Sequence, residues 1–86
     1  MKEVWLLYYK KYIEKNRYFI EQVISEGRIF GMDIKLVTVE DIMHNVSESI
    51  LSGIRKPAAV ISRVINPALS DFFEKEGIRV FNKASV

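Results

Sequence analysis

Arg63, Asn66 and Asn82 are the side chains of this 86-residue chain best placed to do chemistry on a bound molecule. Each stands just past an apolar run of strand type. Arg63 and Asn66 follow Ala58-Ala-Val-Ile-Ser62, and Asn82 closes Ile78-Arg-Val-Phe81. Lys10 and Lys11 follow the run Val4 to Tyr9 in the same way, and Glu40 and Asp41 follow Asp33 to Val39. If these four runs are parallel strands, their C-terminal ends share one edge, which is where open α/β sheets bind ligands. Guanidinium, ammonium and amide groups together suit a phosphate, a carboxylate or a nucleotide-sized anion.

Every one of these residues also has a structural task to weigh. Asn66 precedes Pro67, so it reads first as a helix cap: asparagine accepts free backbone N–H groups, and proline at the first helical position loses nothing. Lys10 and Lys11 read as a solvated turn as well as a site. Arg63 can pair with Glu40 or Asp41, or serve a ligand. Tyr8 and Tyr9 read as core or interface aromatics, and Trp5 as core. His44 is the single histidine, with no second ligand or carboxylate cluster to complete a metal set or a triad. No G-x-G-x-x-G follows the first strand, and neither a G-x-x-x-x-G-K-[ST] phosphate loop nor a G-x-S-x-G elbow occurs. The chain carries no complete catalytic constellation.

The elements that must hold these residues follow from periodicity. Residues 3–9 are almost continuously apolar, as a central strand covered on both faces should be. Tyr12, Asn16, Phe19/Ile20, Val23, Gly27 and Phe30 then recur at helical spacing, predicting an amphipathic helix over 12–30 capped by Gly31. Gly27 lies on its buried stripe, where a close approach of helix to sheet would account for it. Residues 33–39 form a β-branched second strand. The stretch from Glu40 to Pro57 reads as irregular or hairpin structure, although Ile42, Val46, Ile50 and Ile54 have helical spacing. Strands at 58–62 and 78–82 flank a helix over 67–76, with Leu69, Phe72 and Phe73 inward and Gly77 ending it. The order β-α-β-x-β-α-β implies a small flavodoxin-like or Rossmann-like parallel sheet of about four strands, in the order 2-1-3-4.

Composition bounds the rest. An apolar fraction of 49% and a charged fraction of 28% describe one globular domain. Without cysteine there is no disulfide, thiolate metal site or thiol nucleophile. A net charge of +2 is too weak to imply nucleic acid without a clustered patch. The apolar N-terminal run is too short for a signal peptide, and no stretch approaches the roughly 20 apolar residues of a membrane span. A cytoplasmic location is the expectation.

Six groups of residues resemble a known family. Val4-Trp-Leu-Leu-Tyr8, Asn16-Arg-Tyr-Phe-Ile-Glu21 and Gly31-Met-Asp-Ile-Lys-Leu-Val37 with Val39-Glu-Asp41 resemble the N-terminal, pre-ATP-grasp domain of ATP-grasp ligases. Pro57-Ala-Ala-Val-Ile-Ser-Arg63, Asn66-Pro-Ala-Leu-Ser70 and Glu76-Gly-Ile-Arg-Val-Phe-Asn82 look most like the ribosomal-protein-modifying glutamate ligase group. Ser62 stands where relatives often carry Asn. The resemblance implies a non-catalytic module that precedes nucleotide-binding domains on the same polypeptide. Those domains would bring ATP and Mg²⁺, activate a carboxylate as an acyl phosphate and pass it to an amine or thiol. Arg63 and Asn82 would then be substrate-side or interdomain residues. The alternative is a stand-alone flavodoxin-like domain that binds a small ligand or a protein. A receiver-like signalling domain is disfavoured, because Tyr and Lys rather than acidic residues end the first strand. A homodimer is also expected, through a patch including Tyr8, Tyr9 or Phe81.

Overall fold

The run Val4 to Tyr8 is continuously apolar because its strand has a helical layer on each face. In the computed structural model, which describes residues 2–45 and 56–82, strand β1 (Lys2–Tyr8) lies inside a four-stranded sheet. It pairs in parallel with β2 (Met32–Thr38) on one side and β3 (Ala59–Ser62) on the other, and β3 pairs in parallel with β4 (Arg79–Asn82). The order is β2-β1-β3-β4, as the right-handed crossover rule leads one to expect. Alternate β1 side chains enter opposite cores. Val4, Leu6 and Tyr8 meet Ile20 of helix α1 (Arg17–Ile29) together with Ile34. Trp5 and Leu7 meet Val39 and Ile42 of α2 (Val39–Asn45) and Leu69 and Phe73 of α3 (Pro67–Lys75). Leu6, Leu7, Val60, Ile42 and Phe73 are fully buried, each contributing about 1.5–3 kcal/mol of transfer free energy. The Trp5 and Phe73 rings meet edge-on at 6.3 Å.

Two elements depart from the sequence reading. The predicted helix over 12–30 is divided. A 3-10 turn at Lys10–Tyr12 leaves β1, the chain turns through Ile13 to Asn16, and α1 begins only at Arg17. Asn16 (φ −110°, ψ 14°) turns its side chain back, donating Nδ2–H to the Tyr12 carbonyl at 2.8 Å. A chain that must reverse from strand to antiparallel helix uses those residues for the reversal, so their spacing does not belong to the helix. The buried stripe is correspondingly narrower: Ile20 and Gly27 are buried, whereas Tyr12, Phe19 and Phe30 are exposed.

The second correction concerns the stretch after β2. Residues 39–45 are helical rather than irregular. Thr38 Oγ1 accepts the Asp41 N–H at 3.0 Å, capping the new helix, and Glu40 and Asp41 sit in its first turn where the helix dipole favours them. Ile42 anchors the turn in the core. The expected hairpin around Ser49 to Gly53 lies outside the described residues.

Helix ends and helix–sheet spacing follow the sequence more closely. Gly31 (φ +80°) and Gly77 (φ +78°) end α1 and α3 in the left-handed region that favours glycine. Gly27 has the close approach expected of it. A Cβ there would collide with Ile34 Cδ1 and stand 2.8 Å from Cγ1. Lys56 holds the start of β3 against the end of α3, donating to the Glu76 carbonyl at 3.2 Å and pairing with its carboxylate at 3.4 Å.

Candidate functional site

Because all four strands run the same way, their C-terminal ends do form one edge. Tyr8 lies in register with Thr38, Leu7 with Ser62, and Ser62 with Asn82. The chain leaves β1 toward β2 in one direction, while β3 and β4 lie in the other, so the order reverses between β1 and β3. Connections diverge there, and in open α/β sheets the ligand crevice lies outside the strand ends at such a point.

Two of the sequence-identified residues stand at that point, with a third partner the sequence reading assigned only to packing. Tyr9 follows β1, is half-buried against the α3 core, and brings its hydroxyl to 3.5 Å from Asn66 Nδ2. Asn66 performs the cap expected of it, Oδ1 accepting the Leu69 N–H at 3.2 Å. Its amide nitrogen is thereby aimed away from the helix, toward Tyr9. Lys10 is exposed beside them. Its backbone N–H donates to Glu40 Oε1 at 2.9 Å, a bond that ties the end of β1 to the first turn of α2. The Tyr9 hydroxyl and the Asn66 amide thus supply polar groups at the reversal of strand order, with Lys10 next in sequence and Glu40 bonded to its backbone. The signal that would have found Tyr9 is its position, one residue beyond the strand and on the α3 side by alternation.

The other candidates stand elsewhere. Arg63 pairs with neither Glu40 nor Asp41 but lays its guanidinium over the Phe19 ring at 5.1 Å, on the α1 side of the sheet. Strand alternation decides this: Ser62 is buried on the α3 side, and the next residue turns to the opposite face. Lys11 is turned over the Tyr12 ring, 5.2 Å from its centroid. Asn82 ends β4, with β3 between it and β1. Ser62 is consumed locally: its hydroxyl donates to the Val64 carbonyl at 3.1 Å and accepts the Val64 N–H at 3.4 Å. Tyr8 is interior, 3% exposed, so it does not belong to a surface patch; Phe81 is 47% exposed.

Two surface depressions lie along α1 and neither reaches the strand-end edge. One, of about 340 Å³, is bordered by Tyr18, Gln22 and Glu26; the other, of about 210 Å³, lies between Val23, Phe30 and Ile61. The first is built from the surface of α1 alone and the second from α1 with β2 and β3 beneath it, whereas the strand-end edge is where the topology and the polar groups Tyr9 and Asn66 coincide. Among the described residues, no three carboxylate or imidazole side chains converge to hold a metal ion, and no helix is long and apolar enough to cross a membrane.

Fold and edge together define a small α/β domain with an all-parallel four-stranded sheet, compatible with a flavodoxin-like or Rossmann-like architecture. Comparison with known proteins found no matching family model, no matching curated protein and no matching solved structure.

Proposed function

We infer that this chain is a non-catalytic, substrate-side module of the pre-ATP-grasp type, acting in the cytoplasm. Its strand-end crevice takes a small carboxylate, and the chemistry is performed by ATP-grasp domains that bring ATP and Mg²⁺. The observation that carries the reading is the Tyr9 hydroxyl beside the Asn66 amide at the reversal of strand order. Lys10, exposed and next to Tyr9 in sequence, is the cation available to a carboxylate there. Asn82, two strands along the same edge, and Arg63 and Lys11 at its borders are the residues available to an adjoining domain. The missing phosphate loop agrees with a module that leaves nucleotide to its neighbours. The resemblance of the strand ending in Arg63 and of Gly77-Ile-Arg-Val-Phe-Asn82 to the glutamate ligase group supplies the family.

Amide NMR of the purified chain, titrated separately with glutamate and with Mg-ATP, tests this. Millimolar glutamate should move the signals of Tyr9, Lys10 and Asn66, and Mg-ATP should bind no more tightly than millimolar. Asn66→Asp keeps the capping oxygen but replaces the amide donor with a negative charge, so the fold should persist while the glutamate shifts vanish. Micromolar Mg-ATP binding, or a strand edge silent to glutamate, would overturn the module reading. A second reading, a stand-alone domain that binds a protein, is favoured by one observation: the apolar outward face of α1.

A further inference from the structure

Helix α1 carries two apolar faces, and its own sheet uses only one. Ile20 and Gly27 are buried against β1 and β2. Tyr18 and Ile29, each 78% exposed, stand on the side away from the sheet, and Phe19 (43% exposed) and the C-cap residue Phe30 (78% exposed) stand on the adjoining flank, where Arg63 lies over the Phe19 ring and Phe30 borders a depression with Ile61. Single exposed apolar residues are ordinary; four along one helix are not. Their spacing is specific. Tyr18 to Ile29 and Phe19 to Phe30 are each separated by three helical turns, about 16 Å along the axis, so the two apolar pairs stand above one another on the same side. Between them lie Gln22 and Glu26, whose side chains have no hydrogen-bond partner among the described residues.

This pattern is self-complementary. Turned end for end by a two-fold axis, the Tyr18–Phe19 end of one helix meets the Ile29–Phe30 end of the other. In the same register Gln22 faces Glu26 of the second copy on both sides of the axis. The amide N–H₂ then donates to the carboxylate twice, and no like charges oppose one another. Parallel pairing would stack Glu26 on Glu26, so the charges select the antiparallel arrangement. The four side chains expose roughly 600 Å² per chain, so complete burial would give at most about 1,200 Å² in total, the lower end of specific interfaces. We propose that the outward face of α1 is the interface of an antiparallel two-fold homodimer, with Tyr18 and Phe19 packed on Ile29 and Phe30 of the second copy and Gln22 bonded to Glu26.

The contact is small, so the dimer is weak and reversible. Sedimentation equilibrium of the 86-residue chain between about 10 and about 500 µM measures it. Ile29→Glu should weaken association at least ten-fold, with an unchanged far-ultraviolet circular dichroism spectrum because the site is exposed. Gln22→Glu, which sets a second carboxylate against Glu26, should weaken it several-fold, and adding Glu26→Lys should restore it. A single 10.0 kDa species throughout that range would overturn the proposal. So would a dimer indifferent to both Ile29→Glu and Gln22→Glu, which would place the contact on another surface. Monomers that instead partition onto phosphatidylcholine vesicles would assign the face to lipid and overturn it equally.

Discussion

Gly27→Ala sets two known effects against each other at one atom. Alanine is the better helix former by about 1 kcal/mol, and in an exposed helix interior the substitution would stabilise by that amount. Here the added methyl collides with Ile34 Cδ1 and lies 2.8 Å from Cγ1, on a β2 side chain that is itself 6% exposed. The Cδ1 methyl can rotate, but Cγ1 is held by the strand, so relief requires α1 to lift from the sheet. Overpacking of this kind costs about 1–3 kcal/mol. The net expectation is a loss of about 1 kcal/mol, which in a domain of this size lowers the thermal midpoint by roughly 4–8 °C. Ile34→Ala removes both Cδ1 and Cγ1. Alone it should cost about 2–5 kcal/mol as a buried truncation, yet adding Gly27→Ala to it should be neutral or favourable by up to about 1 kcal/mol. The cycle therefore carries a coupling of about 1–2 kcal/mol, measured by urea denaturation followed by circular dichroism. A Gly27→Ala variant more stable than the parent, with effects that simply add, would refute the close-approach argument.

Two other outcomes follow from single groups. The Tyr8 hydroxyl is buried and meets no hydrogen-bond partner among the described residues, so Tyr8→Phe should raise stability by about 1 kcal/mol in urea titration, and a clear loss would reveal a partner. A hydrogen bond from Arg17, and secondarily its charge, holds the Glu14 carboxyl below its ordinary value of 4.5. A lowered folded-state value contributes stability that is fully present above 4.5 and lost as pH falls through the depressed value, which a ¹³C NMR titration of Glu14 would locate. Both side chains are largely exposed, so solvent screens the pair and Glu14→Gln should lower the denaturation midpoint at neutral pH only marginally.

Much of the architecture is legible in residue order alone, because the information is local. The double-faced apolar run of β1, the β-branched β2, and Pro57 and Gly77 as boundaries place four strands, and the right-handed crossover preference orders them. Asn66-Pro67 announces a capped helix whose bond to Leu69 is the one its chemistry dictates. Gly27 on a buried stripe points to a close contact without saying with what; Ile34 is a partner only the packed sheet supplies.

The remainder depended on tertiary structure, for reasons of direction and competition. Whether Arg63 turns toward Glu40 or toward Phe19 rests on which face Ser62 buries, a property of the sheet rather than of either residue. Tyr9 enters the candidate site because the return of the chain into α3 brings Asn66 to its hydroxyl, across 57 positions of sequence. The short helix after β2 has mediocre helix formers, but Thr38 as cap and Ile42 in the core outweigh their propensities. Helical spacing likewise marks Phe19 and Phe30 as apolar without saying which side the sheet occupies. A sheet that takes Ile20 and Gly27 leaves those phenylalanines on the helix flank, largely exposed, because one helix can present only one side to the layer beneath it.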